Sequence, residues 1–208
     1  MDSDRAQPDD PPWLKRAFRE LGEHEIAGRK SNPDIERFLQ STVEGPPGHM
    51  ADEIHWCSAF VNCMIEEATL LEGTNSVAAR SWLKFGKSTK DPVRGCIVVF
   101  SRPNNGPNSG HVAFFLRKTG DKIRVLGGNQ SDAVNIRDFP ESRLLGYRLP
   151  EEDDVTKEEL RDMLRDGFSP GFKTVNEWAD QLNQVRRDVE QIRKDVAEIK
   201  KAPGVVKQ

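Results

Sequence analysis

Residues 52–69 read DEIHWCSAFVNCMIEEAT. From Cys57 to about Thr69 the spacing predicts a helix. Ala59, Phe60, Val61, Cys63, Met64, Ile65 and Ala68 leave its first two turns almost no polar face. A helix that is apolar all round is a buried one, so this segment belongs in the core of a domain, with Cys57 at its start. Polar Asp52, Glu53 and His55 stand just before it. Free N–H groups and the helix dipole favour negative charge at that end. A thiol set there beside an imidazolium has its pKa lowered to roughly 3.5–7.5 and becomes a thiolate. Cys57 is therefore a candidate nucleophile, and the same N–H groups are placed to hold an oxyanion.

Upstream, Pro12 suits a first helical turn. Trp13, Leu14, Ala17, Phe18 and Leu21 then share one helical face, with Gly22 as a stop. Residues 1–11 read as a disordered tail. Asn32-Pro33 is a cap followed by a first turn, opening a helix with Ile35, Phe38 and Leu39 inward. Residues 44–48 (EGPPG) are a loop. Downstream, a shorter helix around Val77 to Phe85 carries Trp82. Then the character changes. CIVVF (96–100), HVAFFL (111–116), KIRVLG (122–127) and LLGYRL (144–149) are rich in β-branched and aromatic residues and bounded by turn formers. Gly120-Asp121 reads as a hairpin turn. Helices followed by an antiparallel strand run make an α+β domain spanning residues 12–150.

Residues 151–173 read as an acidic linker with a short helix, opened by Thr156 and Glu159 in capping-box spacing. From 174 to 201, Val175, Trp178, Leu182, Val185, Val189, Ile192, Val196 and Ile199 recur at spacings of three and four. That is a heptad seam, and it predicts a C-terminal coiled-coil helix followed by a tail at 202–208. Branched residues at d pack poorly in parallel dimers, so the expected assembly is a homotrimer or homotetramer, or a coiled coil with a different chain.

Composition excludes several classes. The chain has 31 basic and 34 acidic residues and a net charge of -3, which gives no electrostatic support for nucleic-acid binding. No apolar run approaches a membrane span. Three irregularly spaced cysteines are not a disulfide framework, and four scattered histidines suggest no zinc site, so neither metal nor other cofactor is expected. The N-terminus MDSDRAQPDDPP lacks the basic start and apolar stretch of a secretory signal, so cytoplasmic synthesis without a signal peptide is expected.

A nucleophilic cysteine needs a base and an orienter from elsewhere in the fold. His111 follows the Gly- and Asn-rich loop 103–110 at the start of a strand. The next strand ends in Gly-Gly-Asn-Gln, offering Asn129 as orienter, with Gln130 and Asp132 as rivals. Trp56, Asp52, Glu53, Ser58 and Gln130 are the candidate substrate contacts. Asp52 and Glu53 equally suit a helix cap, and Trp56 and Trp82 are more often core than binding platform. His55 sits two residues from Cys57 and lines the cleft. Cys63 and Cys96 are structural, and His24 and His49 are surface loop residues.

DEIHWCSAFVN (52–62), ARSWLKFG (79–86), GCIVVF (95–100), SGHVAFF (109–115), VLGGNQSDAV (125–134) and LLGYRLP (144–150), in this order, resemble the NlpC/CHAP group of papain-fold peptidoglycan hydrolases over residues 12–150. The likeness is greatest to short phage- and prophage-encoded members. It implies a papain-like fold, with Cys57 where the family's nucleophile stands, His111 where its base stands and Asn129 where its polar orienter stands. It further implies cleavage of an amide bond in the peptide part of bacterial peptidoglycan through an acyl-enzyme, without a cofactor, after holin-type release or delivery by a particle. Gly95-Cys96-Ile97 departs from the family's usual G-D-I, and His55 stands where relatives often carry proline. Two other functions remain open at this point: a cysteine protease or deamidase acting on a host protein, and a structural or assembly protein of a phage or injection particle.

Overall fold

Proline and an Asx cap set the two N-terminal helices. Pro11 and Pro12 open α1 (Pro12–Arg19). Pro33 opens α2 (Pro33–Gln40), whose Asn32 cap accepts the backbone N–H of Asp34 at 2.8 Å. The computed structural model describes residues 4–26, 32–42, 55–102 and 106–150. The chain divides into two compact units, Met1–Leu160 and Arg161–Gln208, and every described residue lies in the first. The linker, the heptad helix, the loop at 44–48, His49, Asp52 and Glu53 lie outside the described residues.

The cysteine-bearing helix α3 runs Cys57–Ala68, as its composition dictates, with Cys57 through Ile65 buried without a break. A 3-10 helix, Ala79–Lys84, follows and buries Trp82. Six strands then form one antiparallel sheet: β1 (Lys87–Thr89), β2 (Ile97–Ser101), β3 (Gly110–Thr119), β4 (Lys122–Gly127), β5 (Asn135–Pro140) and β6 (Leu144–Leu149). Their order is β1-β6-β2-β3-β4-β5. The fold is α+β, as expected.

The sheet is buried on both faces, which is why β2 and β3 read as unbroken apolar runs rather than alternating ones. Ile97, Val99, Val112, Phe114, Leu116 and Leu126 pack with all three helices. Val98, Phe100, Ala113, Phe115, Ile123, Val125 and Tyr147 form a second cluster on the opposite face. Aromatic pairs tie the helical layer together, with Phe38 edge-on to Phe60 at 5.2 Å and Phe60 against Phe114 at 6.2 Å.

Three expectations need correction. Helix α1 ends at Arg19 rather than at Gly22, and Leu21 is 39% exposed. Residues 4–11 are no loose tail: Asp10 is buried and paired with Arg94 at 2.6 Å, and Asp4 is paired with Arg124. Strands β1 and β5 were not anticipated. Both are edge strands: β1 is polar and three residues long, and β5 sets only Ile136 and Phe139 among polar residues and ends in proline, so neither carries the apolar run of a buried strand.

Candidate active site

The sequence puts Cys57 at the first position of α3 by two local devices. Trp56, the residue before it, is fully buried, and its indole N–H donates to Glu25 at 2.7 Å. Gly128 makes room for it: a Cβ there would lie 2.4 Å from the Trp56 ring. Trp56 is thus a core anchor. Ser58 is also committed to the interior, donating to the Ser76 carbonyl at 2.6 Å and accepting from the Trp82 indole at 2.8 Å.

Cys57 is itself buried, at 1% exposure. Burial pushes its thiol pKa up, against the charge of Arg102 and the backbone N–H groups of Val112, Ser58 and Cys57, which favour the anion. The expectation of a standing thiolate is therefore corrected. The helix start acts in the anticipated direction, but loss of water outweighs it. The N–H of Val112 brings the sulfur to β3 at the residue next to His111.

His111 is the second residue of β3 and fully buried. Its neighbour Val112 packs with the helices, and the imidazole sits at the start of the strand, beside the end of β2. It stacks on Phe139 at 4.9 Å, and Phe139 stacks on Phe100 at 4.7 Å. Both ring nitrogens are engaged. Nε2 lies 3.1 Å from Oε1 of Gln130, and Nδ1 lies 3.1 Å from Nη2 of Arg102.

These contacts fix the tautomer. The Gln130 amide nitrogen donates to the carbonyl of Asn135 at 2.6 Å and to its Oδ1 at 3.0 Å, so Oε1 is the end that meets His111. An amide oxygen only accepts, hence Nε2 carries the proton. Arg102 only donates, hence Nδ1 carries the lone pair. Burial, then the Arg102 charge, brings the imidazole pKa down to about 3, with Gln130 opposing and Arg143 and Arg137 adding to the fall.

That shift has a consequence for stability. The unfolded chain binds the His111 proton below its ordinary pKa of 6.5, and the folded chain does not until about 3. Acid therefore favours the unfolded state between those limits, and stability rises with pH through the window. Each pH unit inside it is worth about 1.4 kcal/mol at most. Between pH 6.5 and 5, the wild type should lose about 2 kcal/mol more than His111→Asn, read as the shift in urea midpoint. Equal losses in the two proteins would contradict a buried neutral imidazole.

Gln130 takes the place expected of Asn129. The reason lies in the turn after β4. Asn129, Ser131 and Asp132 all have positive φ, at 54°, 56° and 59°. These left-handed residues reverse the chain, and the Gln130 N–H closes on the Ala133 carbonyl at 3.0 Å. Gly127 leaves the space that the Gln130 amide fills: a Cβ there would lie 3.4 Å from its Cδ and 2.8 Å from Ala113. Nε2 has one in-plane direction, and Gln130 occupies it, so Asn129 is not its partner. Asp132 is exposed. Gln130, weighed both as a substrate contact and as a rival orienter, touches the imidazole.

Arg102 was missed by sequence reasoning. It follows β2 directly, and the pairing of Phe100 with His111 and Ser101 with Gly110 brings it alongside the imidazole. His55 is exposed and meets Nη1 of Arg102 at 3.5 Å through its Nδ1. Cys63 and Cys96 are buried elsewhere, each thiol pushed up to about 12 by burial, and Cys96 lies in the second cluster with Tyr147. No group of side chains suited to a metal occurs among the described residues. None of the described helices is long and apolar enough to cross a membrane.

A thiol at the head of a core helix, set against an antiparallel sheet that presents an imidazole with an amide partner, defines a papain-like fold. Residues 49–129 match the family model of the CHAP domain. The match spans Cys57, His111 and Asn129 and stops one residue short of Gln130. It points to amidase or peptidase activity on peptidoglycan in general. No curated protein matches the chain.

Proposed function

We propose that this chain is a cysteine hydrolase that cleaves an amide bond in the peptide part of peptidoglycan through an acyl-enzyme on Cys57. The observation that carries it is the Gln130–His111 hydrogen bond. It holds the proton on Nε2 and directs the basic lone pair to Nδ1, as a general base requires. In the first step Nδ1 takes the Sγ proton as sulfur attacks the carbonyl carbon. The carbon–nitrogen bond breaks, the proton passes from Nδ1 to the leaving amine, and a thioester remains. Water then attacks that thioester, losing its proton to Nδ1. Sγ leaves, regains the proton, and a carboxylic acid is released. The backbone N–H groups at the start of α3 support the negative charge that develops.

In the resting state the pair is a thiol and a neutral imidazole, both closed off from water. Nδ1 is bonded to Arg102, so turnover requires Nδ1 to pass from the guanidinium to the sulfur. The reading is tested by mass spectrometry of the soluble products released from purified sacculi. Fragments bearing one new amine and one new carboxyl terminus are expected, which also assigns the bond and its stereochemistry. Intact sacculi across several wall chemistries would overturn it.

A further inference from the structure

Several cations of this domain meet carboxylates: Arg16 with Glu20 and Glu67, Arg37 with Asp34, Arg94 with Asp10, Lys118 with Glu141, Arg124 with Asp138. Arg102 is different. Among the described residues it meets no carboxylate and holds only two imidazoles, His111 at 3.1 Å and His55 at 3.5 Å. Its like-charged neighbour Arg143 also meets no carboxylate among the described residues, donating to the Ser101 carbonyl at 2.8 Å and lying over the Phe139 ring at 5.3 Å. A neutral nitrogen is a weak partner for a guanidinium, whose planar fork matches a carboxylate with two parallel hydrogen bonds. A guanidinium held only by neutral ring nitrogens therefore stands on the base, and its charge favours the anion at Cys57.

The Nδ1 lone pair accepts one hydrogen. Arg102 and the Cys57 thiol consequently exclude each other at that atom. A group that draws the guanidinium away frees the base at the moment it arrives. From this geometry we infer that Arg102 is a receptor for a free carboxylate beside the scissile amide, and that its transfer from His111 to that carboxylate switches the dyad on. The substrate class is an anionic peptide. The same peptide with that carboxylate amidated would leave Arg102 in place and be cut poorly. The inference rests on the proposed hydrolase reading for its substrate, but not for its test.

The test uses the full chain and two alkylating reagents of similar size, anionic iodoacetate and neutral iodoacetamide, with modification at Cys57 located by mass spectrometry. Charge-assisted pairing of reagent with guanidinium should make the ratio of the iodoacetate rate to the iodoacetamide rate about tenfold higher in wild type than in Arg102→Gln. Arg102→Lys should fall between. A measurement without any variant guards against misfolding. Sodium acetate should slow iodoacetate by competition and speed iodoacetamide by releasing Nδ1, whereas sodium chloride at equal ionic strength should do neither. Equal ratios in wild type and Arg102→Gln, identical effects of acetate and chloride, or a Cys57 that neither reagent reaches would overturn the inference. A charge-dependent Cys57 on a protein that leaves sacculi intact would sink the peptidoglycan reading alone. Cleavage of free-acid and amidated peptides at equal kcat/KM would sink this one alone.

Discussion

Cys57→Ala should release no soluble peptide from sacculi, with a loss in kcat of about 10^3-fold or more, since removing a catalytic nucleophile leaves only binding and oxyanion contributions. The fold should survive. Alanine keeps the Cβ at the first position of α3, and the neighbouring anchors Trp56, Ser58 and Trp82 keep their own hydrogen bonds. The thermal midpoint should move by only a few degrees, as for a cost of about 1 kcal/mol. Two matched controls sharpen the result. Cys63 and Cys96 are equally buried, but Cys63 meets Arg37 at 3.7 Å and Cys96 packs in the second cluster with Tyr147, so neither has the base that the mechanism gives Cys57. Cys63→Ala and Cys96→Ala should keep turnover within a few-fold of wild type. Unchanged sacculus clearing by Cys57→Ala would remove the acyl-enzyme from consideration, and loss of clearing in Cys96→Ala would move the nucleophile to the second cluster.

The core of this domain was legible because it obeys simple periodicities. An apolar run with a cysteine at its head could only be a buried helix, and four Val-, Ile- and Phe-rich runs could only be sheet. The strands that escaped notice, Lys87–Thr89 and Asn135–Pro140, are edges, one too short and polar and the other too mixed, with only Ile136 and Phe139 turned to the core, to stand out as an apolar run. The site was legible as a set of residue types but not as a set of contacts. Asn129 and Gln130 are adjacent, and either amide suits an imidazole. What selects Gln130 is a run of left-handed residues and the missing side chain of Gly127, neither of which a strand-and-turn pattern reports. Arg102 was invisible for a related reason. Its importance comes from cross-strand register between β2 and β3, and a single residue of slip would turn it to the other face. The thiolate expected at a helix start likewise depended on solvent access, and exclusion of water at Cys57 reverses the sign.

Gln130→Leu should reduce kcat by about 10^2- to 10^4-fold, the upper end being the loss seen when an imidazole is held in the wrong tautomer. Leucine removes the acceptor that Nε2 has among the described residues, in a place where burial denies water as a substitute. An unpaired buried N–H costs about 1–3 kcal/mol, and the ring can escape that cost by moving its proton to Nδ1. That tautomer has no lone pair facing the thiol and turns an N–H toward the N–H of Arg102. The base is thereby lost and the resting clamp broken together. Nitrogen NMR of His111 should report the change directly, from an Nε2–H imidazole in wild type to an Nδ1–H or mixed state in the variant. Asn129→Gly is the discriminating comparison. Glycine keeps the left-handed backbone at φ 54° without strain, and Gln130 stays on the imidazole. Its loss in kcat should be at least tenfold smaller than that of Gln130→Leu. An equal loss, with the His111 tautomer altered by Asn129→Gly, would return the orienting role to residue 129. A small loss with the tautomer intact leaves one physical account: the amide of Gln130, pinned by Asn135, decides which nitrogen of His111 is free to take a proton.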